Sequence, residues 1–438
     1  MKNNRREFIR MAGMAGLGLA GKGMFDDLPA LTGGNLEENG APPGFMFPIT
    51  SGPAAAGESI IGSYGSWAAG LMENRIPLYS LRRPEWKNLS KWRKAAREKL
   101  AERLAMPRTG PLPELTVTRE YTFDGLHIEE LEYRLPYGPA SSALLLKPEG
   151  AAGRLPGVLA FHDHGGNKFH GIKKIVRTDS ETDPMIAEHQ LNLYGGEAWA
   201  NNLAKRGYVV LVPDAFPFGS RRVFLSDIPE GQRQGLSDPS EKDAEGISAY
   251  NRWAGQHEHI MAKSLFSAGT TWPGVWLAED IKALDILCSR DDVDPGRIGC
   301  GGLSGGGMRS LFLGGFDARI RCCIPVGFMT TWRDLVLYKA TTHTWMVYVP
   351  VLPNELDLPE ILGLRAPAST LVLNNSEDPL FTPDEMKRAD AILRDVYSKA
   401  GGSDRYRCSF HPGPHKFDRA MQDEAFAWFD RWLKQPTF

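Results

Sequence analysis

From residue 155 onward, short runs that are apolar at nearly every position alternate with stretches of helical spacing. No other feature of the chain restricts its fold as tightly. The runs are 157–161, 208–212, 297–301, 320–326, 370–373 and 406–410, and the predicted helices are 197–206, 275–289, 306–315, 383–400 and 417–433. A strand with no polar side has to be covered on both faces, and helices between such strands supply the cover. The pattern predicts an α/β fold, with a mostly parallel central sheet wound by right-handed crossovers and helices on both faces. With 438 residues the chain can bury a large core without a disulfide or metal staple. Its five cysteines have no CxxC or zinc spacing, and Cys322 and Cys323, adjacent in an apolar run, read as buried thiols.

Upstream, 114–123, 126–135 and 141–147 alternate apolar and polar residues, with Asp124-Gly125 as a hairpin turn. They are expected to extend the main sheet as antiparallel strands. Earlier still, 84–104 predicts an amphipathic helix, because Trp86, Leu89, Trp92, Ala96, Leu100 and Leu104 recur at helical spacing. Charges of both signs on its other face favour packing on the main domain over a membrane-surface helix. The domain reading is a leader at 1–35, an N-terminal extension with this helix at 36–110, and the main domain at 111–438. Segments 214–272 and 327–365 are read as helical lid insertions. A net charge of −2, from 51 basic and 53 acidic residues, leaves no general attraction for nucleic acid.

Sheets of this kind carry their chemistry at the carboxyl ends of the strands. Behind 297–301 stands Gly302-Leu303-Ser304-Gly305-Gly306, followed by Gly307 and a helix. In G-x-S-x-G between strand and helix, the serine occupies a strained turn whose neighbours approach too closely for side chains. The turn lifts the hydroxyl above the sheet and aims the Gly305 N–H and the positive end of the helix at one point. A serine nucleophile needs a base. Behind the last strand come His411-Pro412-Gly413-Pro414-His415; Pro412 restricts His411 at the strand end, whereas His415 lies on the loop and can reach over the sheet. His415 is therefore the predicted base. Behind 370–373, Asp378 is the predicted carboxylate that orients it, with Glu377 as the alternative. The order Ser304, Asp378, His415 is the one expected of α/β-hydrolases.

Behind 157–161 comes His162-Asp163-His164-Gly165-Gly166-Asn167-Lys168, the loop expected to give a second oxyanion donor as a backbone N–H. His164 is the first choice and Gly165 the second, acting beside Gly305. Together with His170 the loop also suggests a metal site. A metallohydrolase of the H-x-H-x-D-H kind, however, needs Asp and His at positions 166 and 167, which are Gly and Asn. Neither a metal nor an organic cofactor is expected. His257-Glu258-His259 lacks further ligands and reads as a solvated or salt-bridged helix. Of the lid residues Arg221, Arg222, Trp253, Trp272, Trp332, His343, Trp345 and Tyr348, the predicted substrate contacts are Arg221, Trp272, Trp332 and His343. The alternative is that the aromatics pack a core of the lid itself and that His343 is a satisfied core histidine.

Taken with Pro213-Asp214-Ala215-Phe216-Pro217-Phe218-Gly219-Ser220-Arg221, Ala366-Pro367 and Pro412-Gly413-Pro414-His415-Lys416-Phe417, these motifs make residues 155–433 resemble a known group. It is the dienelactone hydrolase and acetyl xylan esterase side of the α/β-hydrolase superfamily, and within it the exported bacterial esterases called Abhydrolase-7. The resemblance implies a carboxylesterase with Ser304, Asp378 and His415 as nucleophile, acid and base. The sequence departs in carrying Asp163 where related esterases often have Gly, which bears on the oxyanion donor and not on the triad.

Arg5 and Arg6, followed by Phe8, Ile9 and Arg10, resemble the twin-arginine export signal. The apolar stretch at 11–20 is too short for a stable membrane span and ends at Lys22. This implies a periplasmic or secreted protein with the twin-arginine translocase as its export partner. The expected activity is hydrolysis of a small or carbohydrate ester through an acyl-enzyme. The alternatives are a peptidase of the prolyl oligopeptidase type, for whose β-propeller too few residues precede 157, and a non-catalytic carbohydrate-binding homologue.

Overall fold

The computed structural model describes residues 59–73 and 76–434; the paired arginines and the leader lie outside them. Helices α1 (Tyr64–Glu73) and α2 (Leu89–Leu104) precede strands β1 (Leu115–Phe123), β2 (Leu126–Tyr133) and β3 (Ser141–Pro148). Then follow β4 (Leu155–Phe161), α3 (Pro184–Tyr194), α4 (Trp199–Lys205), β5 (Val209–Pro213), α5 (Ala244–Ser267), α6 (Trp272–Cys288) and β6 (Val293–Leu303). The remainder is α7 (Gly305–Phe316), β7 (Ile320–Val326), α8 (Leu358–Gly363), β8 (Ser369–Asn375), α9 (Pro383–Lys399), β9 (Tyr406–His411) and α10 (Arg419–Phe429). The nine strands among the described residues join one sheet in the order β1-β2-β3-β5-β4-β6-β7-β8-β9. The strands from β1 to β3 are antiparallel, β3 is antiparallel to β5, and pairing from β5 to β9 is parallel. The alternating upstream segments thus extend the main sheet, as their pattern predicts.

Strands β4 and β5, at the centre of the sheet, are apolar throughout because each face has its own helices to meet. Leu159 and Phe161 of β4 and Val209 and Leu211 of β5 join a core that includes Trp276 of α6, Phe312 of α7 and Leu393 of α9. The intervening Val158, Ala160, Val210 and Val212 join the opposite core, with Trp199 of α4 and Met421 and Phe429 of α10. The sheet changes direction at β4, which has β5 on one side and β6 on the other. That switch point is where an open α/β sheet leaves a crevice at its carboxyl edge.

Helix α2 buries Trp92, Ala96, Leu100 and Leu104, one per turn, in the first of these cores. It begins at Leu89 rather than at 84, because the Asn88 side chain accepts the Lys91 N–H and caps the helix there. Its apolar stripe meets protein and leaves nothing for a membrane surface. Helix α10 begins at Arg419, capped by Asp418, two residues after the predicted start, and runs on into a π-helical turn at Asp430–Lys434. Helices α1 and α3 were not predicted, whereas α5 and α8 fall within the segments read as helical lid insertions. The segment 214–272 contains three short 3-10 turns and α5, and 327–365 contains short turns, a π-helical turn at Leu335–Lys339, and α8.

Candidate active site

The turn after β6 is closed by contact. A Cβ on Gly302 would stand 2.3 Å from the Phe161 carbonyl oxygen, and one on Gly306 would stand 2.4 Å from the same atom. Only glycine lets the end of β4 lie so close. Ser304, between them, has φ 59° and ψ −116°, a strained conformation for a residue with a side chain. Its N–H is held by the Val326 carbonyl at 2.8 Å.

His415 reaches this turn over the tip of β7. A Cβ on Gly327 would meet the ring at Cε1, 2.8 Å away, and Gly327 directly follows the Val326 that anchors Ser304. His415 Nδ1 lies 2.6 Å from Asp378 Oδ2, while Asp378 Oδ1 accepts the Leu380 N–H at 2.9 Å. A carboxylate only accepts, so Nδ1 carries the proton and Nε2 the lone pair. Burial disfavours the charged ring, but the charge of Asp378 and its hydrogen bond outweigh burial and raise the His415 pKa. Nε2 is buried and makes no hydrogen bond to another described residue, Ser304 included. Such contacts commonly tighten only when substrate is bound. Glu377 instead accepts the Gly413 N–H, and His411 bonds Glu424 at 2.8 Å, so neither belongs to the cluster.

The β4 loop faces Gly305. A Cβ on Gly305 would be 3.1 Å from the His164 backbone nitrogen. Behind the loop lies a buried polar shell. Asp163 Oδ1 accepts from Tyr194 at 2.6 Å and His189 at 3.1 Å, both on α3. The departure at Asp163 thus turns its side chain into a tie to α3. His164 Nε2 meets Glu258 Oε1 at 2.9 Å, and Lys168 Nζ meets the same oxygen at 2.5 Å. Burial alone would raise the Glu258 carboxyl, but Lys168 and the His164 hydrogen bond bring it down to about 2. His162 Nδ1 donates to the Asp163 carbonyl and Nε2 accepts from Ala215 N–H, so both its nitrogens are engaged. Among the described residues no group of three His, Cys, Asp or Glu side chains is arranged to hold a metal ion.

Glu258, read from the sequence as part of a solvated or salt-bridged helix, is salt-bridged on α5, and its support of the β4 loop was not foreseen. It is buried on α5, on one stripe with Tyr250, Ala254 and Ala262, and that i+4 spacing was the available signal. Its neighbours differ: His257 stacks on Trp253, and His259 bonds the Gln256 carbonyl at an exposed position.

Three of the four predicted substrate contacts lie in the core instead. Arg221 is buried, with Nη2 2.6 Å from Glu279 and Nη1 on the Tyr137 and Pro139 carbonyls. Trp272 starts α6 and packs against Phe216, and Trp332 donates to the Leu356 carbonyl at 3.1 Å. Arg221 and Trp332 are closed off by these partners, and Trp272 is buried at the wall of a small cavity that it shares with Trp253 and Glu258. His343 stays beside the site: its ring lies 4.9 Å from that of Phe381, and its Nδ1 bonds the Lys339 carbonyl at 2.9 Å. Burial holds its pKa down to about 4, so the ring is neutral.

Replacing Arg221 with Ala would leave Glu279 buried without its partner. It is expected to lower stability by about 3–5 kcal/mol, read as a fall in the urea midpoint. A variant of wild-type stability would return Arg221 to the list of substrate contacts.

No protein-family model matches the chain. A Bacillus subtilis (strain 168) protein named "Putative hydrolase YtaP" is 26% identical over 293 residues, covering 66% of this chain and 83% of that protein. A Bacteroides fragilis NCTC 9343 structure, named as a "putative acetyl xylan esterase (BF1801)", superposes with a TM-score of 0.58 at 19% identity, covering 80% of this chain and 82% of that one. A glucuronoyl esterase from Solibacter usitatus gives 0.53 at 17% identity, over 81% and 97%. With its sheet order and its strand–turn–helix elbow, the chain has the α/β-hydrolase fold.

Proposed function

We propose that the chain is a serine carboxylic-ester hydrolase. The observation that carries this reading is the 2.6 Å His415–Asp378 hydrogen bond beside the strained Ser304 turn. Ser304 Oγ attacks the ester carbonyl while His415 Nε2 takes its proton, and Asp378 keeps Nδ1–H in place and stabilises the imidazolium. The tetrahedral oxyanion meets the N–H groups of Gly305 and His164, with Gly165 as the alternative to His164. The imidazolium then protonates the leaving alcohol, and water releases the acyl group by the reverse steps. The substrate we propose is an ester of a carbohydrate, a reading supported by the names of the acetyl xylan and glucuronoyl esterases that share the fold. His343 is proposed to border the bound substrate.

A fluorophosphonate probe is expected to label the wild type and not Ser304→Ala, whose turnover of acetyl, feruloyl, methyl or aryl esters should fall on the order of 10⁶-fold. Turnover of peptide amides alone would replace the esterase reading with a peptidase, and an unlabelled wild type would favour a binding protein.

Because only the neutral imidazole can accept the Ser304 proton, kcat/KM should fall as pH drops through a midpoint above the 6.5 of an ordinary histidine. Asp378→Asn should remove that elevation and lower turnover about 10⁴-fold. A wild-type midpoint below 6.5 would contradict the assignment of His415.

The paired arginines support export through the twin-arginine translocase to a periplasmic or secreted location. Arg5→Lys with Arg6→Lys should leave the full chain inside the cell, as read by fractionation, and unchanged export would remove this proposal.

A further inference from the structure

We propose that Lys174 is a positioning residue that aims the oxyanion donors at the reacting carbonyl, an inference that rests on the ester-hydrolase reading above. Lys174 closes a short 3-10 turn, Ile172–Lys174, and is fully buried behind the β4 loop. Its Nζ donates to the Asp163 carbonyl at 2.8 Å and to the His164 carbonyl at 2.9 Å. It also lies 3.8 Å from Asp163 Oδ2 and 4.7 Å from the centre of the Phe218 ring.

The two peptide groups it grips are the ones that carry the candidate N–H donors. Among the described residues, cis peptides occur only at Phe216-Pro217 and Ala366-Pro367, so both groups are trans. In a trans peptide the carbonyl of one residue and the N–H of the next point in opposite directions. One ammonium holding the carbonyls of 163 and 164 therefore turns the N–H groups of His164 and Gly165 to the other side. The His164 nitrogen borders the serine turn, since a Cβ on Gly305 would come within 3.1 Å of it.

The residue type suits this task. Lysine has three N–H donors and a flexible stem, so a single side chain can hold two successive carbonyls. An apolar side chain of similar volume would fill the space and leave both carbonyls without that donor. The Asp163 carbonyl would then keep only His162 Nδ1, at 3.0 Å, and the His164 carbonyl only the Asn167 N–H, at 3.2 Å, a looser hold on both peptide planes. Oxyanion donors act only when they lie about 2.7–3.1 Å from the developing charge, so a small rotation weakens the transition state more than the bound ester.

The test is Lys174→Met in the full chain, with thermal unfolding to confirm that it folds. It is expected to lower ester kcat on the order of 10²-fold, with KM nearly unchanged. It should also weaken inhibition by an alkylboronic acid by a similar factor. That inhibitor forms a bond from Ser304 Oγ to boron, the serine proton passes to His415, and an anionic boronate is left in the oxyanion site with no leaving group. If Lys174→Met does not fold, Lys174→Gln, which keeps two N–H donors, should lose less in both readings and again through kcat. A folded variant with wild-type kcat and boronate affinity, or one whose loss falls on KM alone, overturns the proposal. Ester turnover retained by Ser304→Ala would instead overturn the hydrolase reading, so the two failures are distinct.

Discussion

The carboxyl edge of the sheet depends on one close approach, that of the β4 end to the turn after β6. The Phe161 carbonyl fits against both Gly302 and Gly306 with no room for a Cβ at either. Ordinary overpacking in a well-filled core costs about 1–3 kcal/mol. Here the displaced group would be backbone, and moving it would carry His164 away from Gly305. The glycines are thus what allow a loop on β4 and a helix after β6 to share one small volume. The strain at Ser304 is held by its surroundings: β7 through Val326, and α7 through the Met308 N–H that bonds the Ser304 carbonyl.

Behind that volume the protein buries charge where an apolar filling would serve stability as well. Lys168, Lys174, Asp163 and Glu258 are all nearly inaccessible. Replacing buried ion pairs with apolar residues of similar size is often neutral or stabilising. What apolar residues cannot do is hold named backbone and ring atoms in place. Asp163 is tied to α3, His164 to α5, and the carbonyls between them to Lys174. Asn251 of α5 adds to this by accepting the N–H groups of Lys168 and Phe169. Helix α5, which the sequence places in a lid, is therefore also a support for the loop.

Reading the sequence alone worked where the signal is local. Continuous apolar runs marked β4 to β9 and alternation marked β1 to β3, so the nine strands of the described residues were found, and the residues behind β6, β8 and β9 could be named from their place. His415 and Asp378 meet as that placement suggests, while His411 is drawn aside by Glu424, which no local pattern announces. The reading faltered where a side chain's surroundings are set by distant partners. Arg221 resembles a surface cation until Glu279, 58 residues on, is folded against it. Trp332 looks like an exposed aromatic in a loop until the Leu356 carbonyl closes over its indole N–H.

Helix α2 has a consequence for the order in which the molecule can assemble. Its arginines bond Leu364 and Gly315, and Arg103 holds Glu355 through two hydrogen bonds, partners 218 to 271 residues further along the chain. A Cβ on Gly274 would collide with the Leu104 carbonyl at the end of α2, so the later helix is cut to receive the earlier one. During synthesis this early amphipathic helix must wait, with Trp92 and its apolar stripe uncovered, until most of the polypeptide has emerged. Contacts of such long sequence separation form slowly and leave sticky intermediates meanwhile.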